Sequence, residues 1–169
     1  QAHGHFQILT PLHQGPYGVA GLNRRIVAIL AQAGLIVAEE EWYLGRPVLV
    51  TRNDYELNLM NGDIGLTLER PLPQADGTKR PMRCVAFPAI GEAHGIRWFR
   101  PSRLQNVTTV FAMTVHKSQG SEFRHVALLL PDKPNPVLTR ELVYTAITRA
   151  QESFTVIGPS QNVLLAAIA

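Results

Sequence analysis

Residues 114–123 bring together side chains that are suited to phosphate chemistry. They read Thr-Val-His-Lys-Ser-Gln-Gly-Ser-Glu-Phe and lie between two apolar runs, 107–113 and 126–130. Hydroxyl, imidazole and ammonium groups can donate hydrogen bonds to phosphate oxygens. The polar residues from Thr114 to Glu122 follow the predicted strand 107–113 and are therefore predicted to lie at its carboxyl end. Open α/β sheets bind their ligands beyond the carboxyl ends of their strands. The alternative is an ordinary surface loop.

Residues 138–150 form the second candidate segment. Apolar residues at i, i+4 spacing predict a helix face that packs on a sheet, and a second stripe of the same spacing ends in Arg149. This places one cation at the end of a polar helix face. The alternative is a helix-end cation, which by itself stabilises a helix by roughly 0.3–1 kcal/mol. The apolar face comprises Leu138, Leu142, Val143, Ala146, Ile147 and Ala150, and the polar stripe comprises Glu141, Thr145 and Arg149.

Alternating strands and helices are predicted to position these segments. Apolar runs predict strands, and Leu22, Ile26, Ile29 and Leu30 recur at helical spacing before a C-terminal cap at Gly34. This alternation favours a doubly wound parallel sheet. The predicted strands are 6–9, 48–51, 107–113, 126–130 and 154–157, and the predicted helices end near Gly34 and span 139–151 and 161–168. A helical turn or two is predicted at 53–60, and a tight turn at Asn61-Gly62.

Residues 63–106 differ from the rest of the chain. Short β-like runs at 64–68, 82–87 and 94–100, separated by turn-rich pieces such as 71–77, predict an inserted small β-barrel or meander. This stretch has seven Lys and Arg residues against four acidic ones, whereas the remainder has nine of each. A basic bias suits a phosphate backbone, and a merely solvated surface is the alternative. Trp98 and Phe99 are either stacking surfaces or one core residue beside one solvent-facing residue.

Composition sets the remaining bounds. A chain of 169 residues with 46% hydrophobic residues predicts one compact domain, or one with a small insertion. No apolar stretch approaches the roughly 20 residues that a membrane helix needs, and no secretory signal pattern opens the chain, so we expect a cytoplasmic protein. The single Cys84 excludes an internal disulfide and a cysteine-based metal cluster. Since the chain does not begin with Met, we expect a fragment.

Together, the two segments resemble motifs V and VI of superfamily-1 helicases. Residues 114–123 match motif V, and Tyr-Thr-Ala-Ile-Thr-Arg-Ala at 144–150 matches motif VI, in the right order and at the right separation. The amino-acid sequences of both motifs are similar to those of the RecD-type group, which includes the alpha subunit of exodeoxyribonuclease V. Upstream pieces at 8–11, 15–18, 21–23, 48–54 and 61–65 also fit that group, so the resemblance spans nearly the whole chain.

The resemblance implies the second RecA-like motor domain of a helicase, formed by 1–62 and 107–169, with an SH3-like barrel inserted at 63–106. Thr114 and His116, with Lys117 as a weaker candidate, would contact single-stranded DNA. Gly120 and Glu122 would face ATP, and Arg149 would be an arginine finger that reaches the γ-phosphate.

No Gly-x-x-x-x-Gly-Lys-Ser/Thr loop and no Asp-Glu pair after an apolar strand occurs in the chain. We therefore expect the parts that hold ATP phosphates and Mg²⁺ to lie in an N-terminal motor domain outside this sequence, and the isolated chain to lack ATPase activity. The implied function is 5′ to 3′ DNA unwinding in double-strand break repair, with other exodeoxyribonuclease V subunits as partners. A stand-alone RecD-like helicase and a non-enzymatic binding module remain alternatives.

Overall fold

The structure is a computed structural model that describes residues 5–73, 77–89 and 95–168. These residues form nine strands and three α-helices. In chain order they are β1 (Phe6–Thr10), α1 (Val19–Gln32), β2 (Pro47–Val50), β3 (Ile64–Pro73), β4 (Lys79–Pro88), β5 (Ile96–Phe99), β6 (Val107–Thr109), β7 (Ala112–Thr114), β8 (Phe123–Leu129), α2 (Arg140–Ile147), β9 (Ala150–Ile157) and α3 (Gln161–Ile168). Part of the predicted 71–77 turn and of the predicted 94–100 strand lies outside the described residues.

Backbone contacts divide the chain into two compact units. Unit 1 comprises Gln1–Ile26 and Phe111–Ala169, and unit 2 is the continuous stretch Val27–Val110. Unit 2 is wider than the 63–106 insertion predicted from the sequence, because β2 and β6 pair with its sheet. In the described residues, no helix combines the length and apolar character needed to cross a membrane.

Unit 1 contains the predicted parallel sheet, with strand order β7-β1-β8-β9. The apolar run of β8 forms its centre, where Val126, Ala127 and Leu128 are almost fully buried, as expected for a strand covered on both faces. The register pairs Thr10 with Thr114 at one edge of the sheet and Phe123 with Ala150 at the other. We call these the carboxyl edge and the amino edge, since all four strands run in the same direction.

Helix α1 is tied to strand β7 by a side-chain amide and ends in a glycine cap. The Asn23 amide in α1 exchanges two hydrogen bonds with the backbone of Ala112, at 2.8 and 3.1 Å, and so satisfies the free side of strand β7. Gly34, at φ +69°, ends α1 as predicted: the Leu35 N–H reaches the Leu30 carbonyl and the Gly34 N–H reaches the Ala31 carbonyl.

Helix α2 is shorter than predicted. The sequence predicted a helix at 139–151, but α2 ends at Ile147, and Ala150 begins β9. The reason is tertiary, because Ala150 pairs with Phe123 in the sheet. The predicted apolar face is buried at Leu138, Leu142, Val143 and Ala146, whereas Ile147 is 46% exposed. Helix α3 has the predicted bounds.

The helical turn predicted at 53–60 is wrong. This segment folds back on itself as an isolated bridge between Asp54 and Leu59, and Asn58 takes a positive φ of 51°. Asp54 and Leu59 exchange two backbone hydrogen bonds, at 2.7 and 2.9 Å, which close the segment into a loop, and the Asp54 carboxylate accepts the Leu57 N–H inside it at 3.0 Å. Leu57 and Leu59 are thereby buried in the unit 2 core.

Unit 2 contains an open antiparallel sheet, with strand order β5-β4-β3-β2-β6. The single strand predicted at 107–113 is wrong, because it divides into β6 in this sheet and β7 in the other. Val48, Val50, Val85 and Phe87 form the core on one face, and Phe99 packs against it. Gly65 is required there, because a Cβ would lie 2.7 Å from the Phe87 ring. The described pairing does not close the sheet into a barrel.

Candidate functional site

Residues 114–118 form a tight turn at the carboxyl edge. Thr114 is only 2% exposed, and its hydroxyl accepts the Lys117 N–H at 3.1 Å. The Ser118 hydroxyl is buried and donates to the Val115 carbonyl at 2.7 Å, within a 3-10 turn at His116–Ser118. His116 and Lys117 are exposed. The structure therefore presents His116 and Lys117 to solvent, while the Thr114 hydroxyl shapes the turn that holds them.

Gly120 lies where the chain turns from the carboxyl edge towards the amino edge. Its φ of +85° is the left-handed conformation that glycine adopts without steric cost. A Cβ at this position would meet no atom within 4 Å, so the requirement for glycine comes from the backbone angle.

Glu122 and Arg149 lie together at the amino edge. The prediction that Glu122 shares the carboxyl edge with Thr114 is wrong, because Glu122 directly precedes β8 and Arg149 directly precedes β9. Two neighbouring parallel strands begin there, and the Phe123 N–H donates to the Arg149 carbonyl at 2.8 Å. The Glu122 carboxylate accepts a hydrogen bond from the Gln151 side-chain amide at 3.0 Å.

The Arg149 guanidinium is held by three oxygen atoms. Its Nε donates to the Thr145 carbonyl at 3.4 Å, Nη1 to the Ser121 carbonyl at 3.2 Å, and Nη2 to the Thr148 hydroxyl at 3.3 Å. Arg149 lies in the turn after α2 and not on the helix itself, which corrects the predicted helix-borne position. Because a guanidinium has five N–H donors, these three bonds leave donors available to an anion.

An ion pair lies beside this cluster. Arg124 Nε contacts a Glu152 carboxylate oxygen at 2.7 Å, and this hydrogen bond lowers the pKa of Glu152. The same interaction raises the pKa of Arg124. Both side chains are about half exposed, so the pair neutralises local charge more than it stabilises the fold.

Sequence reasoning missed the groups that orient Arg149 and Glu122. The Ser121 carbonyl, the Thr148 hydroxyl and the Gln151 amide all belong to residues within two positions of a predicted site residue. Proximity to the motifs was the available signal, but the helix predicted through 151 placed Gln151 on the wrong element. Among the described residues, no cluster of three His, Cys, Asp or Glu side chains could hold a metal ion.

Comparison with known proteins defines the class. Residues 109–157 match the model of the UvrD-like helicase C-terminal domain. The Pif1 helicase from Candida albicans has a similar fold, with a TM-score of 0.51 and 13% identity over 96% of this chain and 49% of that chain. The parallel sheet and the match identify a helicase C-terminal domain.

Within this class, the chain has RecD proteins among its sequence relatives. The chain is 42% identical to the RecBCD enzyme subunit RecD of Mycobacterium tuberculosis over 93% of its length, and 38% identical to that of Haemophilus influenzae over 89%. It is 35% identical to the ATP-dependent RecD2 DNA helicase of Deinococcus radiodurans over 97%. It spans 25%, 21% and 21% of those proteins, respectively. These matches place the chain with the RecD-like helicases, as a segment that corresponds to about a quarter of such a protein.

Proposed function

We propose that this chain is the second motor domain of an ATP-dependent DNA helicase, and that it supplies half of an ATP site. One observation carries the proposal: Glu122 and the oriented Arg149 guanidinium share the amino edge, separate from His116 and Lys117 at the other edge. A motor that couples ATP turnover to movement along DNA needs two such separate surfaces.

The amino edge would face the nucleotide. Arg149 would approach the γ-phosphate bound by an N-terminal motor domain, which would also hold Mg²⁺. Its free N–H donors would neutralise the charge that develops during phosphoryl transfer, a contribution of roughly 10³ to 10⁵ in rate in related systems. Gly120 would let the backbone approach the nucleotide, and Glu122 would contact its ribose or a phosphate.

The carboxyl edge would face single-stranded DNA. His116 and Lys117 would donate to backbone phosphates, and the Thr114 hydroxyl would hold their turn in place. The antiparallel sheet of unit 2 would correspond to the SH3-like insertion of the family. Unwinding would run 5′ to 3′ in the cytoplasm, during double-strand break repair within an exodeoxyribonuclease V complex.

The decisive experiment substitutes Arg149→Ala in the protein that contains both this chain and a P-loop domain. We expect DNA-stimulated ATP hydrolysis to fall by about three orders of magnitude or more, with single-stranded DNA binding retained. Arg140→Ala, which removes an exposed arginine at the start of α2, is the matched control. Unchanged turnover in the Arg149 variant would reduce Arg149 to a helix-end cation and refute the proposal.

A stand-alone helicase is a second candidate. The relative from Deinococcus radiodurans, which matches 97% of this chain, is named as a DNA helicase and not as a subunit of the RecBCD enzyme. Affinity purification of the full protein from its own cells would distinguish a subunit of a nuclease complex from a stand-alone helicase. Recovery of nuclease subunits in stoichiometric amounts supports the complex, and a helicase active without partners supports the stand-alone enzyme.

A further inference from the structure

One face of the unit 2 sheet combines arginines with an aromatic ring. Strand pairing sets Arg70 opposite Met82, Arg80 opposite Leu72, and Trp98 opposite Ala86. Paired residues share a face, and these positions alternate with the core residues Val85 and Phe87. We call this the outer face. Its described positions in β3, β4 and β5 contain no Asp or Glu.

Arg70 and Trp98 stack across strand β4. The Arg70 guanidinium carbon lies 5.1 Å from the centroid of the Trp98 ring, within cation–π range. Cys84 lies between them in the strand register and is only 3% exposed. Since Arg70 itself is exposed, the pair presents a flat cationic surface to solvent.

Arg100 continues this face beyond β5. Its backbone is extended, at φ −70° and ψ 142°, and it follows Trp98 by two positions, so strand alternation keeps it on the outer face. Arg80 and Arg100 are both exposed, and neither has an ion-pair partner among the described residues.

The two arginines on the core face, Arg83 and Arg97, have acidic partners. Arg83 forms an ion pair with Glu40, and Arg97 lies 3.8 Å from Asp63 and donates to the Asn58 carbonyl. Their charge is balanced within unit 2. Arg70, Arg80 and Arg100 on the outer face take part in none of the ion pairs between described residues, so their positive charge is available there.

We propose that the outer face binds single-stranded nucleic acid, with a base stacked on the Arg70–Trp98 pair and phosphates on Arg80 and Arg100. Unpaired bases stack on aromatic rings and guanidinium planes whatever their sequence, and exposed arginines that form no ion pair among the described residues can supply the phosphate contacts. An acidic protein surface would use the charge but not the stacking pair. This inference rests on the proposed DNA-dependent function, to which it adds a second contact surface.

The test is the salt dependence of binding. Dissociation constants of labelled oligo(dT) are measured from 0.05 to 0.5 M NaCl for the full protein without nucleotide, with and without Arg80→Ala/Arg100→Ala. The logarithm of the dissociation constant rises with the logarithm of the salt concentration, and each lost phosphate contact on single strands lowers the slope of that rise by about 0.7. We expect the slope to fall by about 1.4 and the affinity at 0.1 M salt to fall roughly 25-fold.

A charge-matched double variant, Arg52→Ala/Arg140→Ala, removes two exposed arginines elsewhere and is expected to change the slope far less. Equal effects of the two double variants, or no binding by the wild type, would overturn the inference. If Arg149→Ala abolishes ATP hydrolysis while the outer-face variant binds normally, the proposed function survives and the outer face does not bind.

Trp98 fluorescence distinguishes nucleic acid from a general polyanion. We expect oligo(dT) to quench the fluorescence of the wild type and to quench Trp98→Phe substantially less, because a stacked base contacts the indole ring. Poly-glutamate of equal charge is expected to bind weakly without quenching. Equal affinity for poly-glutamate would instead assign the surface to an acidic protein partner.

Discussion

Arg149 depends on its neighbours for its orientation. One of its three acceptors, the Thr148 hydroxyl, itself donates to the Thr145 carbonyl at 2.9 Å and so is fixed in direction. The other two acceptors are backbone carbonyls that side-chain substitution cannot remove. Substitution of Thr148 can therefore change the orientation of the Arg149 guanidinium while Arg149 itself is kept.

Thr148→Val in the full helicase keeps the branched shape and deletes the hydroxyl. A hydrogen bond to a charged group contributes about 1.5–3 kcal/mol, so we expect kcat for ATP hydrolysis to fall about tenfold to a hundredfold with little change in KM. Thr148→Ser is expected to restore the rate. Steady-state kinetics check this, and a wild-type kcat for Thr148→Val would mean that the backbone carbonyls suffice.

At the scale of the element, α2 begins with a hydrogen-bonded cap. The Thr139 hydroxyl accepts the Leu142 N–H at 3.3 Å, and this orients the helix whose far end leads to Arg149. In the same turn, the Glu141 carboxylate accepts hydrogen bonds from its own N–H and the Thr139 hydroxyl, and both lower the pKa of Glu141.

Thr139→Ala is expected to lower the free energy of unfolding by about 1 kcal/mol, and Thr139→Ser by much less. Urea denaturation measures both. Because its pKa is lowered in the folded state, ionised Glu141 stabilises the fold above its unfolded pKa, and this contribution disappears as the pH falls through the folded pKa. In Thr139→Ala the Glu141 pKa should rise towards its ordinary value, which an NMR titration would detect.

Apolar spacing predicted the elements better than their ends. It identified the parallel sheet and α3, and turn chemistry identified the turn at Asn61-Gly62. It could not show that Ala150 pairs with Phe123, because that partner lies far away in the sequence. For the same reason it joined β6 and β7, which are consecutive in the chain but belong to different sheets.

The motifs located the site, and the structure altered its geometry. Residue type alone suggested that Thr114 is a ligand contact, whereas burial makes its hydroxyl part of the turn. Similarly, the separation of Glu122 from His116 follows from the strand directions, which a linear segment does not reveal. The orienting bonds to Arg149 depend on backbone carbonyls, which no residue pattern identifies.

At the scale of the molecule, the two units differ in how the chain builds them. Unit 2 is one continuous stretch, whereas unit 1 needs residues from both sides of it. The Gln7 side chain bonds the Phe111 carbonyl across 104 positions, and β1 lies between β7 and β8. Only Val110 and Phe111 separate the last strand of unit 2 from the strand that begins to complete unit 1.

This connectivity sets an order of events during folding. Long-range pairing is slow because the chain must first lose the entropy of closing a large loop, and domains tend to form as they emerge during synthesis. We expect amides of β3 and β4 to gain protection before those of β1 in a pulsed hydrogen-exchange refolding experiment. Simultaneous protection would contradict this order. On the ribosome, β1 would remain unpaired until the whole of unit 2 had been synthesised, because its partners β7 and β8 follow unit 2 in the chain. The unpaired backbone groups of β1 would then be the site at which a nascent chain is most prone to aggregate.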